Sequence, residues 1–192
     1  MPVTPSSSPV VFTAETLRKA AELEADAYRP LWIGPSGEES TGEAVARHLD
    51  ATLALLDKDG WDRVMHFGTD DSTSHIPADD DSMTVKAMLK AMLKALLRFI
   101  REDIAGAKTH RRTLFAALRH VGESDDGDSD TRDIAGEALT LLIQAHTGSP
   151  TARATPWSER LGRTHADITA LLTAGARFAR THGPGAEAET AA

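Results

Sequence analysis

A chain of 192 residues with 41% hydrophobic residues can bury one core, and its formal net charge of −8 excludes a protein that coats nucleic acid with its whole surface. The absence of cysteine excludes a disulfide framework, a thiolate zinc site and a cysteine nucleophile, and it favours a cytoplasmic protein. We expect one helical domain over residues 13–182, with disordered tails at residues 1–12 and 183–192. Neither a signal peptide nor a transmembrane segment is expected.

The first half of the chain contains two predicted helices separated by a loop. Residues 13–28 begin with a threonine that can cap a helix, and Pro30 ends the pattern. Residues 41–57 also begin with a threonine and carry apolar side chains at helical spacing, with Gly60 as the expected C-cap. Gly and Pro interrupt residues 31–40, which predicts a loop.

Acidic loops and helices alternate in the middle of the chain. Residues 68–82 hold five aspartates with no Lys or Arg, and they lead into a long amphipathic helix predicted over residues 82–105. A shorter helix is predicted over residues 109–121, followed by a second acidic loop over residues 122–129. The residues of the shorter helix that are expected to face the core are Leu114, Phe115, Leu118 and Val121.

Two further helices complete the predicted fold. Ser129 or Asp130 caps a helix that ends at Thr147, before a Gly-Ser-Pro stop. Thr164 and Asp167 form an approximate capping box at the start of the last helix. No segment shows the alternation of apolar and polar residues that is typical of a strand. We therefore predict an all-α, single-domain bundle of about six helices.

Positive charge is concentrated between Lys86 and Arg119, where nine basic and two acidic residues give a local formal charge of +7. Four of the basic residues recur every fourth position on the long predicted helix and form one stripe. The stripe is either a solvated outer face or a surface that binds an acidic protein, a nucleic acid or an anionic membrane. The residues assigned to the partner-binding surface are Lys86, Lys90, Lys94, Arg98, Arg101, Arg111 and Arg112.

Four carboxylates have the spacing of ligands in a calcium-binding loop. These residues are the metal candidates: Asp126, Asp128, Asp130 and Glu137. Thr131 stands where the turn of such a loop requires glycine, and Asp133 stands where the loop has an apolar residue. The alternative is an acidic loop whose last residues cap a helix, and no cofactor is predicted.

The eight histidines are scattered singly along the chain, without the i, i+4 pair of a helical zinc site. Histidines from distant helices can still meet in a bundle, which leaves a small helical metalloenzyme as an alternative. No nucleophile elbow, P-loop or dinucleotide fingerprint occurs. The sequence therefore favours a protein that is not an enzyme.

Two motifs stand out in the remaining sequence. Residues 49–61 form the end of a predicted helix that finishes in Gly-Trp, and residues 157–164 read Trp-Ser-Glu-Arg-Leu-Gly-Arg-Thr. In both stretches the chain resembles an actinobacterial family of uncharacterised proteins, whose C-terminal signature is close to Trp-Asn-Asp-x-Pro-Gly-Arg-Thr. The cysteine-containing middle of that family is replaced here by the basic helix and the acidic loops. The resemblance implies no particular activity.

The C-terminal motif has a structural interpretation. Trp157 can bury its ring, Gly162 permits a tight turn and Thr164 can cap the last helix. Arg163 is free to bond a nearby carbonyl or acid. We therefore expect the motif to stabilise the fold and not to catalyse a reaction.

These observations predict a cytoplasmic accessory or regulatory protein that binds a macromolecular partner through the basic surface between Lys86 and Arg119. The partner is expected to be another protein or a second copy of the chain. Nucleic-acid binding is the first alternative, and a steep loss of affinity with salt would distinguish it. The second alternative is the metalloenzyme, which metal analysis of the purified protein would reveal.

Overall fold

The computed structural model describes residues 10–64, 111–124 and 127–186, all within one compact unit. In this part of the chain there are six α-helices, two isolated β-bridges and no strand, which confirms the all-α prediction. The helices are α1 (Ala14–Ala25), α2 (Gly42–Asp59), α3 (Leu114–Gly122), α4 (Ser129–Thr147), α5 (Ala154–Ser158) and α6 (His165–His182). The predicted helix over residues 82–105 lies outside the described residues. No described helix has the length and hydrophobicity to cross a bilayer.

Threonine side chains cap four of these helices. Thr13, Thr41 and Thr164 each accept a hydrogen bond from the backbone N–H three residues further on, as predicted. At the start of α6, the carboxylate of Asp167 also accepts a hydrogen bond from the Thr164 N–H at 2.9 Å, which completes the predicted capping box. Thr113 caps α3 in the same way.

The predicted starts of α3 and α4 were wrong. α3 begins at Leu114 instead of residue 109, because Arg112 lies in a β-bridge and the backbone of Thr113 is extended. α4 is capped by Asp128 and not by Ser129 or Asp130. Asp128 has extended dihedrals, and its carboxylate accepts the N–H groups of Asp130 and Thr131 at 3.2 and 2.7 Å.

The extents of two other helices also differ from the prediction. α1 ends at Ala25 and not at residue 28, since the Asp26 N–H closes its last turn on the Glu22 carbonyl at 3.1 Å. α5 was not predicted, because five residues are too few to show a hydrophobic period. Its Pro156 stands in the first turn, where no N–H is needed.

The core is built around α2 and α6, which pack against each other in opposite directions. Gly42, which begins α2, lies against Ala179 and Gly183 at the end of α6. α1 and α3 pack on α4, and α4 also contacts α2 and α6. The largest fully buried side chains are Trp157, Phe178, Leu49, Leu56, Leu114, Leu139, Leu142, Ile143, Ile168, Leu171, Leu172 and Val45.

Phe115 departs from its predicted inward position, since its side chain is 49% exposed. Leu114 and Leu118 supply the buried face of α3, and Phe115 lies beside that face in an open groove. The helical period of this short segment therefore assigns one aromatic side chain to the wrong side.

The chain ends differ from the predicted limits of the tails. Phe12 is buried against Trp157 and His146, and the N–H of Val10 donates to the Asp167 carboxylate at 2.8 Å. At the other end, the Gly42 N–H donates to the carbonyl of Pro184 at 3.0 Å. These contacts place residues 10–12 and 183–186 on the helical unit, because their backbone and side-chain groups have partners within it.

Candidate functional site

Only the C-terminal end of the predicted basic surface falls within the described residues. Lys86, Lys90, Lys94, Arg98 and Arg101 lie outside them. Arg111, Arg112 and Arg119 are described, and Arg119 is an exposed residue 3.5 Å from Glu123. The candidate site described below is formed by residues before residue 65 and after residue 110.

The chain around Gly60 is fixed to the chain around Arg112 by two backbone hydrogen bonds. The Asp62 N–H donates to the Arg112 carbonyl at 2.9 Å, and the Arg112 N–H donates to the Gly60 carbonyl at 3.0 Å. The Arg112 side chain adds a third bond, because its Nε donates to the Asp59 carboxylate at 2.8 Å. Arg112 thus stabilises the fold at this point, and its charge is already paired.

A cleft of about 390 Å³ lies beside this junction. We call it the arginine cleft, and its lining residues are Gly60, Trp61, Asp62, Arg63, Arg111, Arg163 and His165. Three arginines from three separate segments of the chain therefore line one small space, together with one acidic residue, Asp62. Within the described structure, Arg63 and Arg111 form no ion pair.

The guanidinium of Arg163 is positioned by an aromatic ring. It lies over Trp157, 3.8 Å from the ring centroid, and the Trp157 side chain is buried. Burial lowers the pKa of Arg163, the charge of Asp167 raises it, and the charge of Arg160 lowers it again. The Asp167 carboxylate is engaged by the backbone N–H groups of Val10 and Thr164. The cation at Arg163 is therefore partly desolvated, and its nearest carboxylate serves the helix cap.

His165 is the first residue of α6 and adds an imidazole to the lining of the cleft. Its Nε2 lies 3.3 Å from Oδ1 of Asp57, a separation that makes an ion pair when the imidazole is protonated. The same atom is buried and has no partner at hydrogen-bond geometry. The two groups are therefore close but poorly aligned for a hydrogen bond.

Comparison with known proteins assigns the chain to a family. A family of unknown function, DUF6197, matches residues 40–178. The chain belongs to the DUF6197 family. Every residue of the arginine cleft lies within the matched range. No curated protein and no solved structure matches the chain.

In this DUF6197 protein, the two motifs that suggested a family resemblance meet at the arginine cleft. Gly60 and Trp61 come from the first motif and Arg163 comes from the second. The structural interpretation of the second motif is also confirmed: Trp157 is buried, Gly162 has a φ of 89° and Thr164 caps α6. Sequence reasoning missed the cleft because it treated the two motifs separately.

The structure gives other contacts to two of the calcium candidates. Asp128 caps α4, and the Asp130 carboxylate is buried and bonded by the hydroxyl and N–H of Ser36. Glu137 is exposed two turns further along α4, and Asp126 lies outside the described residues. Within residues 10–64, 111–124 and 127–186, no three His, Asp or Glu side chains are placed to hold a metal ion.

Two larger grooves differ from the arginine cleft in their charge. A groove of about 830 Å³ between α2 and α3 holds Asp128 beside Arg47 and Lys58. A groove of about 730 Å³ beside α3 and α4 holds Asp133 and Glu137 next to its arginines, and Arg132 is paired with Asp133 at 2.7 Å. The arginine cleft is smaller, but three arginines line it against one acidic residue, Asp62, and we therefore take it as the candidate functional site.

Proposed function

We propose that this protein is a cytoplasmic, non-enzymatic accessory or regulatory protein that binds an acidic macromolecular partner. The proposed contacts are the basic segment that begins at Lys86, from its sequence, and, taken by itself, the arginine cleft of the described residues. The observation that supports the proposal best is the meeting of Arg63, Arg111 and Arg163 in one cleft.

The charge balance of the chain also supports an external anion. Like charges in close proximity repel each other, so converging guanidinium groups lower the stability of the free protein. The protein has a formal net charge of −8, yet residues 86–119 carry +7. A chain with an overall negative charge that concentrates its cations in one region is suited to an acidic patch on a partner.

The form of the cleft, in contrast to the stripe of cations on the predicted helix, favours a protein partner. Nucleic-acid binding uses an extended row of cations that follows the phosphate backbone. The described cations instead converge on about 390 Å³, at the lower end of the roughly 300–1,000 Å³ of ligand pockets. The non-enzymatic part of the proposal rests on the sequence, which has no nucleophile or cofactor motif.

A charge-matched pair of variants tests the proposal. In the first, Lys86, Lys90, Lys94 and Arg98 are replaced by Gln. In the second, the same change in net charge is made at four exposed residues away from the cleft: Lys19, Arg47, Arg153 and Arg177. Proteins captured by each variant and by the wild type from a lysate of the source organism are quantified by mass spectrometry, and each captured protein is then purified and its binding measured directly.

We expect the first variant to lose a specific acidic partner and the control variant to retain it. Equal binding by both variants and the wild type would show that the basic segment is not the contact. The captured partner could instead be a nucleic acid whose affinity falls steeply between low and physiological salt. That result would show that the protein-partner proposal is wrong and would support the nucleic-acid alternative.

The actinobacterial origin of the family and the full form of its C-terminal signature remain predictions. They rest on the residues that the chain shares with that signature, Trp157, Gly162, Arg163 and Thr164.

A further inference from the structure

The cation content of the arginine cleft indicates a particular class of anion. A single carboxylate is satisfied by one guanidinium, which binds its two oxygens with two parallel hydrogen bonds. Here three arginines and one histidine line the same small space, against a single acidic residue, Asp62. A phosphoryl group carries close to two negative charges and three strong acceptor oxygens, so it can use several of these donors at once.

Contacts within the described residues position these arginines. The Arg163 guanidinium carbon lies over the Trp157 ring, 3.8 Å from its centroid, and this contact leaves the N–H groups of Arg163 unused. Arg111 is exposed, and neither it nor Arg63 is paired with a carboxylate of the described structure. The hydrogen bonds between Gly60 and Arg112 hold the segments that carry Arg63 and Arg111 together.

One aromatic ring completes the cleft. Trp61 is partly exposed, lines the cleft beside the three arginines and lies next to the bridge with Arg112. A tryptophan face in this position can cover the carbon atoms that attach a phosphoryl group to its carrier. The volume of about 390 Å³ suits one phosphorylated side chain and not a length of polymer.

We propose, building on the partner-binding function above, that the arginine cleft binds a phosphorylated side chain of the partner protein. Arg63, Arg111 and Arg163 would donate to the phosphoryl oxygens, and Trp61 would cover the adjoining carbon chain. Recognition of a phosphate by a cluster of arginines is a general mode of peptide binding.

The proposal can be tested with small probes on the purified full-length protein. O-phosphoserine and serine differ only in the phosphoryl group, and citrate supplies carboxylates without phosphorus. The chain has three tryptophans, and the indole N–H signal of Trp61 in an ¹H–¹⁵N spectrum is assigned by its loss in Trp61→Phe. We expect O-phosphoserine to shift this signal in a saturable way, whereas serine leaves it unchanged and citrate binds more weakly.

Arg111→Gln removes one exposed donor and is matched by Arg177→Gln, which removes an exposed arginine from the far part of α6. Loss of one charged hydrogen-bond donor should weaken O-phosphoserine binding about tenfold in the Arg111 variant, with no change in the control. Equal affinity in both variants, or citrate binding as tight as that of O-phosphoserine, would overturn the proposal.

Two further outcomes separate this proposal from the proposed function. If the basic-segment variant loses its protein partner while O-phosphoserine leaves the Trp61 signal unchanged, the phosphoryl proposal is wrong and the partner-binding function stands. If a short single-stranded oligonucleotide shifts the Trp61 signal and O-phosphoserine does not, the cleft contacts a nucleic-acid backbone. The proposed protein partner and the proposed phosphorylated side chain are then both wrong.

Discussion

The Asp59 carboxylate accepts a hydrogen bond from Nε of Arg112 at 2.8 Å, and this pair joins the end of α2 to the segment that begins α3. The two side chains are 19% and 25% exposed, so water screens the pair less than it screens a surface ion pair. The pair and the adjoining backbone bonds place Arg63 and Arg111 at one cleft. The Asp59–Arg112 pair therefore contributes both to the stability of the fold and to the geometry of the candidate site.

We expect Asp59→Asn to lower the free energy of unfolding by about 1 kcal/mol, measured by urea denaturation, because a partly buried charged hydrogen bond is lost. Glu15→Gln is the control, since Glu15 pairs with Arg18 on the open surface of α1, where both side chains are more than half exposed. An exposed pair contributes less to stability, because water and salt screen it. Equal losses in the two variants would contradict a special role for Asp59.

Gly42 allows the start of α2 to approach the end of α6. A Cβ atom at this position would lie 2.2 Å from the carbonyl oxygen of Ala179 and 2.9 Å from Cα of Gly183, and both are backbone atoms. We expect Gly42→Ala to separate the two helices and to lower the free energy of unfolding by at least about 2 kcal/mol, measured by thermal and urea denaturation.

Gly136 is the matched control for this change. It lies within α4, and apart from the adjoining turns of that helix no atom of the described residues lies within 4 Å of the place where its Cβ would stand. Gly136→Ala should raise the free energy of unfolding by up to about 1 kcal/mol, because alanine favours the helix over the unfolded chain. If both substitutions changed stability in the same direction, the close packing at Gly42 would not explain the result.

Local signals predicted the starts of α1, α2 and α6 correctly, because a cap needs only residues close in sequence. Thr13, Thr41 and Thr164 cap helices through bonds to residues three positions on. The cap of α4 was predicted wrongly among several acidic residues. Local sequence does not show that Asp130 is held by Ser36, a residue from the loop before α2, and this long-range bond leaves Asp128 as the cap.

The candidate site could be predicted only in part, because it depends on tertiary contacts. The sequence identified Arg111 within a basic region, but Arg63 and Arg163 lie far from each other along the chain and stand in no basic cluster. They meet because α2 and α6 pack in opposite directions, which brings the end of α2 to the start of α6. The family motifs contained Gly60, Trp61 and Arg163, and their position at the ends of packed helices is the signal that could have revealed the cleft.

Asp167 should make the fold sensitive to acid. Burial raises the pKa of its carboxyl, but hydrogen bonds from Val10 and Thr164 and the charge of Arg163 outweigh this, so the pKa lies below its ordinary value of 3.8. A carboxyl with a lowered pKa in the folded state stabilises the fold above its unfolded-state pKa, and this contribution is lost as the pH falls from there through the folded-state pKa.

We expect Asp167→Asn to lower the free energy of unfolding at neutral pH by about 1–2 kcal/mol and to make stability fall less steeply below about pH 4. Urea denaturation at several pH values measures both effects. Asp26→Asn is the control, since Asp26 is exposed and its side chain accepts no hydrogen bond in the described structure. An acid dependence as steep in Asp167→Asn as in the wild type would assign the effect to another carboxyl, such as Asp128.

His48 should impose a second pH dependence, nearer to neutral pH. Its side chain is 5% exposed, and its Nε2 has no hydrogen-bond partner. Burial lowers the pKa of this imidazole and the charge of Arg132 acts in the same direction, while a hydrogen bond to the backbone of Leu118 and the charge of Asp128 oppose them. Burial prevails, and the folded protein holds His48 neutral.

Since the unfolded chain binds a proton at His48 more readily than the folded protein does, stability is greatest above the ordinary pKa of 6.5 and falls as the pH drops below it. His48→Gln, which can still bond the Leu118 carbonyl, should flatten this decrease between about pH 7 and pH 5 in urea denaturation. His120→Gln changes an exposed histidine on α3 and should leave the slope unchanged. If the slope survives in His48→Gln, the proton uptake belongs to another group, and His146, whose pKa is also lowered by burial, becomes the residue to replace.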